Sequence, residues 1–81
     1  MLSELKNSPR VVGVKQLRRA LGKREVLRVF LARDADPVLT EPLETLAREA
    51  NVPVVWICSM KELGQACGIA VKAAAAGIIV S

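Results

Sequence analysis

Eighty-one residues, 52% of them apolar, make one domain with a single modest core, which excludes a disordered basic tail. The net charge of +4 hides an asymmetry: residues 1–33 hold nine Lys or Arg against Glu4 and Glu25, a net +7, while residues 34–81 hold Arg48, Lys61 and Lys72 against six acids, a net −3. A basic half on a compact domain points to a polyanion, most commonly nucleic acid, the acidic half argues against indiscriminate adhesion to membranes or RNA, and the lack of histidine excludes His-dependent triads.

In chain order, Met1 to Asn7 predicts a short helix with Leu2 and Leu5 facing inward, broken by Ser8-Pro9. Arg10-Val11-Val12 reads as a brief extended segment leading to Gly13. From there Val14, Leu17, Ala20 and Leu21 recur at helical spacing, and Gly22-Lys23 closes the helix. At about 100° per residue, Lys15, Gln16, Arg19 and Lys23 share roughly one hundred degrees of arc on the opposite side. Glu25 to Ala32 is β-rich and makes the clearest strand. Asp36-Pro37 is an N-cap followed by a first-position proline. Pro42 would break a hydrogen bond inside a regular helix, so a tight first turn is expected, then a main helix from about Thr40 to Ala50, ended by Asn51. Val52 to Ile57 is a second buried strand with Pro53 at its entrance.

Ser59-Met60-Lys61-Glu62 is a capping box, in which the Ser59 hydroxyl and the Glu62 carboxylate satisfy each other's backbone donors. The helix it opens carries Leu63, Ala66 and Cys67 and stops at Gly68. Ile69 to Lys72 predicts an apolar loop. Ala73 to Ala76 prefer helix by propensity, but Gly77 to Val80 read as a strand, and extended structure is assigned to most of 74–80. Helices alternating with strands predict an α/β fold, a three-layer α/β/α sandwich around a small mixed four-stranded sheet, with residues 1–81 as one domain.

The helix from Gly13 to Lys23 is the strongest functional signal. One face suits a core and the other a polyanion. Its N-terminus offers unpaired N–H groups and the positive end of the macrodipole to a phosphate or an electronegative base edge. The plainer reading is an ordinary solvated helix face. Phe30 and Trp56 are the only aromatic residues, which disfavours base stacking on a row of rings.

Other polar residues read more simply. Asp34 and Asp36 are taken as capping and loop-shaping carboxylates rather than a catalytic pair. Gly13, Gly64 and Gly68 suit turns and close packing and form no nucleotide-binding fingerprint. Arg10, Arg24, Arg28 and Arg33 can be plain solubilising charge. Cys58 and Cys67, without further paired ligands, argue against a zinc site and read as free buried thiols in a reducing cytosol. Residues 1–10 lack the apolar core of a signal peptide, and the run from Ala73 to Val80 is too short for a bilayer, so a cytoplasmic protein with no membrane partner is expected.

Four stretches, Gly13 to Arg19, Ala32 to Pro37, Asn51 to Val54 and Leu63 to Val71 with the small-residue run after it, occur here in one order and spacing. Together they resemble the kink-turn-binding ribosomal-protein family of the L-seven-Ae type, over roughly Val11 to Val80. The resemblance implies that the helix opening at Gly13 enters the groove of a sharply kinked RNA, beside tandem sheared G·A pairs. Lys15 and Gln16 stand at the Asn and Glu of the family's Gly-Thr-Asn-Glu motif, where its bacterial branch has Lys-Gln, and Arg19 stands at the basic residue three further on. Lys and Gln can address purine edges, and Arg19 can neutralise phosphate or fork onto guanine. A kink opens a groove that is otherwise too deep and narrow to read.

The second contact implied by the resemblance is the loop at Ile69-Ala70-Val71, exposing two β-branched residues over unpaired nucleotides at the bend. Val14 stands where the family usually has Thr, so Gly13 must serve as the cap; Ala70 stands where an acid is common. The candidate RNA-binding residues are thus Gly13, Val14, Lys15, Gln16, Arg19, Lys23, Arg33, Ile69, Ala70 and Val71. No catalytic residue, cofactor or metal is expected. The implied protein is a monomeric, non-enzymatic binder of kink-turns in ribosomal RNA, a riboswitch or another structured RNA, with the ribosome as one setting. The alternatives are a protein-interaction adaptor on the same fold and the RNA-docking module of a modification enzyme. A complete 81-residue gene product would argue against the last.

Overall fold

Helices and strands alternate through residues 2–80, which the computed structural model describes: α1 (Leu2–Asn7), β1 (Arg10–Val12), α2 (Val14–Gly22), β2 (Val26–Ala32), α3 (Pro37–Glu49), β3 (Val54–Ile57), α4 (Met60–Ala66) and β4 (Ala75–Ile79). The two-residue period of β2 sets the layers. Val29 and Leu31 pack with Leu17, Ala20 and Leu21 of α2 and with Leu43 and Ala47 of α3. Phe30 and Ala32 pack on the opposite face with Leu5 of α1 and with Leu63 and Cys67 at α4. Val26 shares the face of Val29 because a register irregularity between Val26 and Arg28 inserts a residue. Leu5 is fully buried, as expected; Met1 and the side chain of Leu2 lie outside the described residues.

The sheet order is β1-β4-β2-β3, with β4 antiparallel to both neighbours and β3 parallel to β2. Being paired on both sides outweighs the helix preference of the alanines in β4. The small side chains also let α2 approach: a Cβ at Gly77 would lie 2.6 Å from Leu17 Cδ1.

Helix α3 departs from expectation by running unbroken through Pro42. The ring removes only the hydrogen bond to the Val38 carbonyl, and Val38 is 77% exposed, so the missing bond falls in a solvent-facing first turn of the helix. The Asp36 carboxylate caps the helix, accepting from Val38 N–H at 3.0 Å, and Asn51 follows its end in left-handed conformation, φ 58°. At the end of α2 the left-handed residue is Arg24, φ 57°, while Gly22 is still helical. A Cβ at Gly22 would meet nothing within 4 Å. Gly22→Ala is therefore expected to add roughly 0.5–1 kcal/mol of stability, seen as a higher urea midpoint with an unchanged slope.

At α4 the Ser59 hydroxyl accepts from Glu62 N–H at 3.1 Å, the first half of the expected capping box. A further acceptor comes from across the fold, Asp34 Oδ1 taking Met60 N–H at 2.8 Å. Asp34 and Asp36 thus both cap helices. Arg10 does more than solubilise: its Nε donates to the Cys67 carbonyl at 3.0 Å, placing a cation at the C-terminal end of α4.

Cys67 is buried, and burial pushes its thiol up from the ordinary value against a smaller downward pull from Arg10. Cys58 corrects the expectation of a buried thiol, because β3 ends at core-facing Ile57 and the next residue turns outward. Iodoacetamide is expected to modify Cys58 alone in the native protein and both free thiols in denaturant, as read by mass. No helix among the described residues is long and apolar enough to cross a membrane.

Candidate nucleic-acid interface

The strand directions bring the ends of β1, β2 and β3 and the start of β4 to one edge of the sheet, where α2, α3 and α4 all begin. Gly13 N–H donates to the Ala75 carbonyl at 2.8 Å, and Ala32 N–H to Ala74 at 3.0 Å. Arg33 N–H donates to Ile57 at 2.8 Å, and Ala73 N–H to Met60 at 3.0 Å. These bonds hold the tip of α2, the turn carrying Arg33 and the end of the 69–72 loop along one edge.

Gly13 has φ 105° and ψ 154°, a conformation open to glycine and strained for side-chain-bearing residues. It is the N-cap of α2, and among the described residues no side chain caps the helix. Because Leu17 N–H makes the bond to the Gly13 carbonyl, at 3.0 Å, the N–H groups of Val14, Lys15 and Gln16 precede the intrahelical ladder. Val14 is half-buried against the cluster around Leu17. Lys15, Gln16 and Arg19 are exposed. Gln16, Arg19 and Lys23 line one shallow depression beside β1, together with Glu25. Lys23 stands about 13 Å along the axis from Val14, away from the tip.

The second element is held by glycines. A Cβ at Gly64 would overlap the Val71 carbonyl oxygen and lie 3.2 Å from Lys72 Cα, so the 69–72 loop can close onto α4 only at a glycine. Gly68, φ 77°, ends the helix, its N–H bonding to Gln65 and that of Ile69 to Gly64. The expected exposure of two β-branched residues holds for one of them. Ile69 is half-buried against the core around Phe30, whereas Val71 is 69% exposed and Ala70 is exposed beside it.

Lys61, Gln65 and Lys72 also meet in this region, lining a groove of about 310 Å³ with Ile69, Ala70 and Val71. The sequence reading missed them. Lys61 and Gln65 share a helix face by their spacing, but only the course of the loop brings Lys72 alongside. Among the described residues, no group of three His, Cys, Asp or Glu side chains could hold a metal ion.

Fold and edge together define a small α/β/α domain presenting a basic helix tip, capped by a glycine, beside a short apolar loop. Residues 2–81 match the ribosomal protein L7Ae/L30e/S12e/Gadd45 family, and the chain belongs to that family. It is 52% identical over 69 residues to an RNA-binding protein of Geobacillus sp. (strain WCH70), a match covering 85% of this chain and 84% of that one. It is 49% identical, over the same shares, to the RNA-binding protein YbxF of Geobacillus stearothermophilus. Among solved structures, it is similar to the Giardia lamblia 15.5kD RNA binding protein, with TM-score 0.91 and 26% identity, covering 99% of this chain and 71% of that one.

Proposed function

We propose that this protein binds structured RNA without catalysis and recognises kink-turns with tandem sheared G·A pairs, in ribosomal RNA or a riboswitch, as a cytoplasmic monomer. The observation that carries this reading is the bond from Gly13 N–H to the Ala75 carbonyl, which sets the α2 tip beside the segment leaving the apolar loop. A tip bearing free N–H groups, Lys15 and Gln16 suits acceptor-rich purine edges and nearby phosphate. Val71 suits the apolar face of an unpaired nucleotide beside it. Arg19 and Lys23 continue the positive charge along the helix for the RNA backbone.

A straight duplex cannot offer its base edges to α2 and its unpaired nucleotides to the loop together. The protein would therefore bind the kinked form more tightly and draw a fluctuating RNA toward it, by as much as the two affinities differ. An RNA labelled at both helix ends should show energy transfer rising on titration with protein in magnesium-free buffer, and intact RNA should be recovered afterwards. Unchanged transfer at saturation would exclude kink selection, and cleaved or modified RNA would exclude a pure binding protein.

A further inference from the structure

Building on the kink-turn reading, we infer that the groove between α4 and the 69–72 loop is a third RNA contact, distinct from the cover of unpaired nucleotides by the loop, in which Lys61 and Lys72 hold the sugar-phosphate backbone of the strand that leaves the bend. After Arg33 the chain is acidic and has only three basic residues, two of which, Lys61 and Lys72, line this groove. Neither ammonium has a hydrogen-bond or ion-pair partner among the described residues, whereas the third cation, Arg48, is paired with Glu44 at 2.9 Å. Among the described residues, no carboxylate lines the groove. Asp34, close to the start of α4, is engaged with Met60 N–H.

The two lysines come from opposite walls. Lys61 and Gln65 lie one turn apart on α4, and Lys72 lies on the loop. The walls are held together by the contact of Gly64 with the Val71 carbonyl and by the bond from Ala73 N–H to Met60. Between them Ile69, Ala70 and Val71 form an apolar floor, which suits ribose faces under phosphates held by the lysines. The floor is also continuous with the proposed site: Val71 belongs to both, and Ala75, a few residues on, receives the Gly13 N–H. An RNA strand passing over Val71 from the helix tip enters this groove directly. The charge and floor suit a polyanion better than an acidic peptide, whose carboxylates would leave the apolar floor unmatched.

The test is the salt dependence of affinity for a kink-turn RNA, measured with wild type, the double variant Lys61→Ala/Lys72→Ala and the charge control Arg48→Ala. Losing two phosphate contacts should make the slope of log K against log salt shallower by about 1.4–1.8 and weaken binding on the order of tenfold near 0.15 M salt. Arg48→Ala should leave the slope unchanged. Neutral methylphosphonates in the strand next to the bulge should weaken wild type and leave the double variant little affected. A double variant with wild-type slope and affinity would overturn the groove contact while leaving kink-turn recognition standing, and would turn the groove over to an acidic protein segment. A wild type that fails to prefer kinked over fully paired RNA would overturn both readings.

Discussion

Gly64→Ala is expected to destabilise the protein by on the order of 3 kcal/mol and to weaken RNA binding beyond that loss. The added methyl overlaps a backbone carbonyl, which no rotamer change relieves. Moving α4 away would open the core at Leu63 and Cys67, both fully buried, so the 69–72 loop must give instead. That displacement carries Val71 and Lys72 out of register with the α2 tip. Urea unfolding with tryptophan fluorescence, and binding at a temperature where the variant is fully folded, measure the two effects separately. Wild-type values in both would mean that the loop is not clamped on α4. The contrast with Gly22→Ala is one of space: the same added methyl stabilises at an open helical position and destabilises at a closed one.

The second large effect is at the tip of α2, whose two ends should fail differently. Lys15→Ala or Gln16→Ala should cost on the order of 1–3 kcal/mol in binding and blur discrimination of the G·A step, since both residues lie in the first turn where base edges can be reached. Lys23→Ala, at the far end of the helix, should weaken kinked and paired RNA by a similar factor and make the salt slope shallower by about one unit. Binding curves on both RNAs across a salt series separate these outcomes. If Gln16→Ala lowers both affinities equally, the tip makes an electrostatic contact only.

Much of this fold was legible because its signals are local. The spacing of Leu17, Ala20 and Leu21, the Asp36-Pro37 start and the Ser59 cap each act within a turn or two, and each appears in the structure. What the sequence hid depends on which segments meet. Pro42 stays inside α3 because Val38 happens to face water. Asp34 caps a helix whose first residue lies far along the chain, and Arg10 reaches the carbonyl of Cys67 from the start of β1. Cys58 is exposed because it is the first residue past the end of β3, where the chain turns outward from core-facing Ile57. In the candidate site, the glycines and the basic face of α2 were readable one by one. The half-burial of Ile69 and the pairing of Lys61 with Lys72 require the path of the loop, which Gly64 dictates through a contact no periodicity reveals.

The most direct measurement is the affinity of the intact protein for two RNAs of matched length and salt. One carries tandem G·A pairs beside a three-nucleotide bulge, and the other is the same stem fully paired. Recognition of the kink predicts far tighter binding to the first, with the preference persisting as salt is raised, because base-edge and shape contacts are screened less than phosphate contacts. Equal affinity for both RNAs at every salt concentration would contradict it.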